Sequence, residues 1–138
     1  MMLFSAVRGL PVLRLDGDGR LGTVSSLSVD VRAGTVSHVR FRTGLLRRET
    51  VLPWEAVRSV GPGAVRVVPA ALPGTAPAGH ALLGRLVLTE TGTEHGTVLD
   101  VAFDPRTGRV LAVFTTRGEV PAGRMMGLGD HALVVGSA

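Results

Sequence analysis

Arg20-Leu-Gly-Thr-Val-Ser-Ser-Leu-Ser-Val-Asp-Val-Arg-Ala-Gly-Thr-Val36 has a diverged copy later in the chain, His95-Gly-Thr-Val-Leu-Asp-Val-Ala-Phe-Asp-Pro-Arg-Thr-Gly-Arg-Val110. At a constant offset of 74, Gly22 matches Gly96, Asp30 matches Asp104 and Gly34 matches Gly108. Val24, Leu27, Val29, Val36 and Val39 match Val98, Val101, Phe103, Val110 and Val113 at the same offset. Turn formers and apolar positions recur together, so the chain carries a duplicated module.

Working outward, each copy reads as strands joined by tight turns. Val12 to Leu15 is a short strand that runs into Asp16-Gly-Asp-Gly19, a turn, and then into the Leu21-to-Val31 strand. Alternation predicts Leu27, Val29 and Val31 on one face of that strand and Ser26, Ser28 and Asp30 on the other. A second hairpin returns through Val39 and Phe41. Repeat 1 then carries extra residues between Phe41 and Pro53, whereas repeat 2 passes from Thr115 to Pro121 through Arg117-Gly118. Leu52-Pro-Trp-Glu-Ala-Val57 predicts a strand end and one helical turn, since proline is tolerated where a helix begins. The end of repeat 2 tracks this segment at an offset of 68, with Pro121 opposite Pro53. Residues 69–79 hold three prolines and no periodicity, which predicts a linker between repeat 1 (1–68) and repeat 2 (80–138).

The 138 residues include no cysteine and no tyrosine, and 19 glycines. Without thiols there is neither a disulfide framework nor a thiolate metal site. All 15 basic residues are arginine, yet the net charge of +4 is mild and suits a solvated surface. The opening Met1-to-Val7 segment lacks a basic start, and Arg8, Gly9 and Pro11 break its apolar run. No window approaches the roughly 18 apolar residues of a membrane span. A cytoplasmic protein without membrane insertion is the expectation.

Each half is similar to the PRC-barrel family, a small β-barrel named after the photosynthetic reaction centre H subunit and found also in a ribosome maturation factor. In repeat 1 the resemblance rests on Leu21-Gly22-Thr-Val, Val29-Asp30, Gly34 and Leu52-Pro53-Trp54-Glu-Ala-Val57. In repeat 2 it rests on Gly96-Thr-Val, Phe103-Asp104-Pro105-Arg-Thr-Gly108-Arg-Val110 and Val120-Pro121. The fold expected is all-β: two tandem small PRC-like barrels of about six short strands each, with a short helical turn. Gly22, Asp30, Gly34, Pro53, Gly96, Asp104, Gly108 and Pro121 are then turn and core positions. The resemblance implies a docking module rather than an enzyme, without a cofactor. Repeat 2 departs at Ala122 and Gly123, where repeat 1 has Trp54 and Glu55.

No catalytic constellation is legible. His38, His80, His95 and His131 are scattered singly, without a metal-ligand spacing. Asp30 and Asp104 precede turns, where a carboxylate accepts backbone N–H groups. Two features stand out instead. Arg40, Arg42, Arg47 and Arg48, with one compensating Glu49 and with Trp54 nearby, form either a solvated hairpin or a docking surface for a protein partner or RNA. Trp54 itself is expected beneath the helical turn or displayed at an interface. Val110, Ala112 and Phe114 form an apolar second face that predicts packing against repeat 1, the linker or another subunit, or cover by a loop. The function expected is a non-enzymatic adaptor that docks onto a protein partner. An RNA- or ribosome-associated factor is the alternative, and a homo-oligomer is left open.

Overall fold

The computed structural model describes residues 1–17, 19–44, 48–68 and 81–137. Arg47, the 69–79 linker and His80 lie outside the described residues, as does the side chain of Arg48. Strand β1 (Met2–Leu3) and a single helical turn, α1 (Phe4–Val7), open the chain. Repeat 1 follows as β2 (Pro11–Arg14), β3 (Arg20–Asp30), β4 (Thr35–Thr43), β5 (Arg48–Pro53), a 3-10 turn (Trp54–Ala56), β6 (Val57–Val60) and β7 (Val65–Val67). Repeat 2 repeats the plan as β8 (Leu86–Thr89), β9 (Glu94–Phe103), β10 (Val110–Thr115), β11 (Gly118–Pro121), a 3-10 turn (Ala122–Arg124), β12 (Met125–Leu128) and β13 (Ala132–Val135).

The two sheets have the same order, β5-β4-β3-β2-β7-β6 and β11-β10-β9-β8-β13-β12. In each, the first and last strands of the module lie side by side and parallel, β2 with β7 and β8 with β13, and the other neighbours are antiparallel hairpins. The 3-10 turn carries the chain from one edge of the sheet to the other, which curls each sheet into a small barrel. Pro53 and Pro121 end β5 and β11 at φ −65° and −59°, directly before these turns.

One cluster of buried side chains runs through both barrels. It includes Val12, Val24, Leu27, Val39 and Phe41 of the first, and Val87, Val98, Val101, Val113 and Leu133 of the second. A barrel of about 60 residues buries only about 60% of its chain surface and is marginal alone, so a shared core stabilises the pair. The joint is made in part by the N-terminus, to which the sequence assigned no element. β1 leaves its own repeat and pairs with β9 of the other, Met2 opposite Phe103 and Leu3 opposite Ala102. It takes the edge of β9 that β8 covers only at the other end of the strand. Phe4 then meets Phe103 edge to face, with centroids 5.3 Å apart. Beside it the Ser5 N–H donates to Asp100 Oδ1 at 3.1 Å, and the Ser5 hydroxyl donates to the other carboxylate oxygen.

Strict alternation fails on the long strands, because each is interrupted by β-bulges. An extra residue in one strand resets which side chains face inward. In β4 the extra residue is Ser37, so Val36 joins Val39 and Phe41 in the core rather than facing away from them. Ser28, expected on the wet face of β3, is buried.

Candidate docking surfaces

The two modules meet through equivalent hairpins. The Val36 N–H donates to the Gly108 carbonyl at 2.7 Å, and the Val110 N–H donates to the Gly34 carbonyl at 2.8 Å. Thr35 and Arg109 face each other between these bonds. All three pairs are exchanged by the offset of 74, so the contact is isologous: the same surface is used by both partners, around a local twofold axis.

Aspartates build both hairpins. The Asp30 carbonyl accepts the Gly34 N–H at 2.8 Å, and its Oδ1 accepts the Ala33 N–H at 3.1 Å. The Asp104 carbonyl accepts the Gly108 N–H at 2.8 Å, and its Oδ1 accepts the Arg106 N–H at 2.9 Å. That backbone bond from Arg106, helped by the Arg106 charge, holds the Asp104 carboxyl below the usual carboxylate range. Gly22 and Gly96 serve close approach: a Cβ on the first would strike the Arg42 carbonyl, and one on the second the Thr116 hydroxyl.

Trp54 crosses from the first module to the second. Its ring stands edge to face with Phe103 at 6.1 Å, and a Cβ on Gly108 would lie 2.6 Å from its Nε1. The side chain is half-buried at the joint between the modules and packed on the partner module, beyond its own helical turn. Its surface is therefore committed within the chain.

The arginine cluster divides. Arg40 is buried, with Nε donating to Ser28 Oγ and Nη1 to Glu49 Oε1, both at 2.8 Å. It lies on the face of β4 away from Val39 and Phe41, where its bonds to Ser28 and Glu49 hold the guanidinium down against the sheet. Glu49 also accepts from Ser25 Oγ at 3.1 Å. Arg42 is exposed and shares a shallow groove with Arg20, Thr23 and Gly44.

Val110, Ala112 and Phe114 do not share a face. Leu111 is the extra residue of a bulge, so Val110 turns with Val113 into the core while Ala112 lies outside that cluster. Val110 reaches repeat 1 through its bond to Gly34, Ala112 is buried, and Phe114 stays part-exposed.

A further feature was invisible in the sequence. Three of the bulges that the two modules share have Ser25, Ser37 and Arg58 as the extra residues in the first and Leu99, Leu111 and Met126 in the second, and a fourth falls at Leu21 and beside His95. In repeat 1 the Ser25, Ser37 and Arg58 side chains each bond within the chain. Ser25 donates to Glu49, Ser37 Oγ lies 2.9 Å from His38 Nδ1, and Arg58 Nη1 donates to the Glu55 carbonyl at 3.0 Å. In repeat 2 the three are apolar and exposed, to 59%, 43% and 58%.

Among the described residues no three His, Asp or Glu side chains converge as a metal site would require, and no helix is long and apolar enough to cross a membrane. Comparison with curated proteins gives no significant match. The PRC-barrel domain family model matches residues 1–71 and again residues 77–134, nearly the whole chain in two consecutive copies. With two barrels of one topology related by a local twofold, this chain belongs to the PRC-barrel family.

Proposed function

We propose that the protein is a non-enzymatic docking adaptor whose second barrel presents the contact surface to a protein partner. The observation that carries this reading is the contrast at three of the shared bulges, Ser25/Leu99, Ser37/Leu111 and Arg58/Met126. A bulge leaves its extra residue unpaired in the ladder and re-aims its side chain. Repeat 1 fills these positions with polar groups bonded to their own module, whereas repeat 2 fills them with Leu99, Leu111 and Met126, left in water. Exposed apolar side chains gain about 25 cal/mol per Å² when a partner covers them. Methionine and leucine also adapt their shape to an opposing surface. Repeat 1, polar at these three positions and with Trp54 turned onto the other module, acts as the support.

RNA association is the second reading, and the groove between Arg20 and Arg42 favours it. It is the weaker one, because Arg40 is taken up internally and Arg20 Nη2 already donates to Thr23 Oγ1 at 2.7 Å. Affinity capture from native cells, with and without nuclease, separates the two. The variant to compare is Leu99→Ser, Leu111→Ser, Met126→Arg, which writes the repeat 1 residues into repeat 2. A specific protein that survives nuclease and is lost with the variant supports docking. Ribonucleoprotein released by nuclease, or a partner held equally by the variant, overturns it.

A further inference from the structure

Resting on the docking reading, we infer that the joint between the barrels holds a cleft for one aromatic side chain of the partner, a tryptophan flanked by a carboxylate. The local twofold supplies the argument. On one side of the axis Trp54 lies on the Gly108 hairpin, and a Cβ on Gly108 would meet its ring at 2.6–3.0 Å. On the other side the counterpart of Gly108 is Gly34, around whose Cβ position no atom lies within 4 Å. The counterpart of Trp54 there is Ala122.

The space is a solvent-open cleft of about 240 Å³ lined by Val31, Gly34, Val110, Ala122 and Met125, among others. That is below the roughly 300–1,000 Å³ of sites for drug-sized ligands, so it suits a single ring rather than a cofactor. The same fold, at the equivalent place, already shows what fills it, a tryptophan followed by Glu55.

Charge selects the flank. Arg32 and Arg109 line the cleft, both are exposed, and neither guanidinium forms an ion pair with a described residue. Arginine stacks on aromatic faces and forks onto carboxylates, which matches both parts of such an occupant. Two of the lining residues, Val110 and Met125, directly precede the exposed Leu111 and Met126 along the chain.

The test uses the full chain, labelled with ¹⁵N, and an acetylated, amidated peptide of residues 52–57, Leu-Pro-Trp-Glu-Ala-Val, as the probe. Saturable amide shifts at Val31, Gly34, Val110 and Met125 are expected. A peptide with alanine for tryptophan should give none. Arg32→Glu with Arg109→Glu, two exposed side chains, should weaken binding about tenfold or more while the unshifted amides elsewhere report an unchanged fold. Ala122→Trp should abolish it by filling the cleft from within. Absence of shifts at millimolar peptide overturns the inference. So do shifts indifferent to the charge reversal, and shifts at Phe103 and Gly108 instead, which would mean that the peptide displaces Trp54. A chain that dimerises through this cleft, and becomes monomeric on Ala122→Trp, would replace the foreign tryptophan with a second copy. The outcomes for cleft and adaptor remain separate: a captured partner that depends on Leu99, Leu111 and Met126 but tolerates Ala122→Trp overturns the cleft alone. Failure of capture beside a successful titration overturns the adaptor assignment.

Discussion

The indole of Trp54 rests on the backbone of Gly108, and that glycine belongs to the other copy of the repeat. Gly108 and Gly34 both adopt positive φ, 80° and 70°, so alanine at either costs about 1–2 kcal/mol of backbone strain. Only at Gly108 does the new methyl also displace a ring. Overpacking of that kind adds about 1–3 kcal/mol, so Gly108→Ala should lower the unfolding free energy by at least about 1 kcal/mol more than Gly34→Ala. Guanidinium titration of the two variants checks this. Equal losses would place Trp54 elsewhere.

Phe4 links the N-terminal turn to Phe103, and truncation of a buried phenylalanine costs about 3–5 kcal/mol. Because the core is continuous, Phe4→Ala should lower the denaturant midpoint seen by Trp54 fluorescence and by far-ultraviolet circular dichroism together. Separation of the two curves would mean that the barrels unfold independently.

Arg40 and Arg42 are two residues apart and should behave differently. Arg40→Ala leaves Ser28 Oγ without the Arg40 donor and leaves Glu49, among the described residues, only the Ser25 hydroxyl, a loss of about 1–3 kcal/mol. Arg42→Ala, on the surface, should stay within about 0.5 kcal/mol of the parent. Thermal or chemical unfolding of the pair decides.

The Asp104 carboxyl ionises more readily in the folded chain than at its ordinary value of 3.8. A depressed folded value means that ionised Asp104 stabilises the fold fully above the ordinary value, and that this contribution disappears as pH falls through the folded one. The stability gap between parent and Asp104→Ala should therefore be constant near neutrality and narrow in acid. A gap that widens in acid would refute the sign.

The duplication, the hairpin aspartates and the β class were all legible in the sequence, because Asp30/Asp104 and Gly34/Gly108 repeat at one spacing and each does local work in its own turn. What alternation could not see were the bulges. One inserted residue at Ser37 or Leu111 changes the facing of its neighbours without leaving a sign in composition, which is why Val36 and Val110 enter the core. Contacts across the repeats were equally hidden, since nothing local in Met2-Leu3-Phe4 names β9 as its partner. Trp54 could be marked as distinctive from its type, but its neighbour Gly108 lies 54 positions away.

The isologous contact has a consequence for how such a surface can vary. In a dimer of identical chains every substitution is made twice, so both sides of the axis must be filled or both left open. Here each substitution is made once. One hairpin can bind the chain's own tryptophan and hold the assembly closed, while its twin, free of that duty, is left as a receptor.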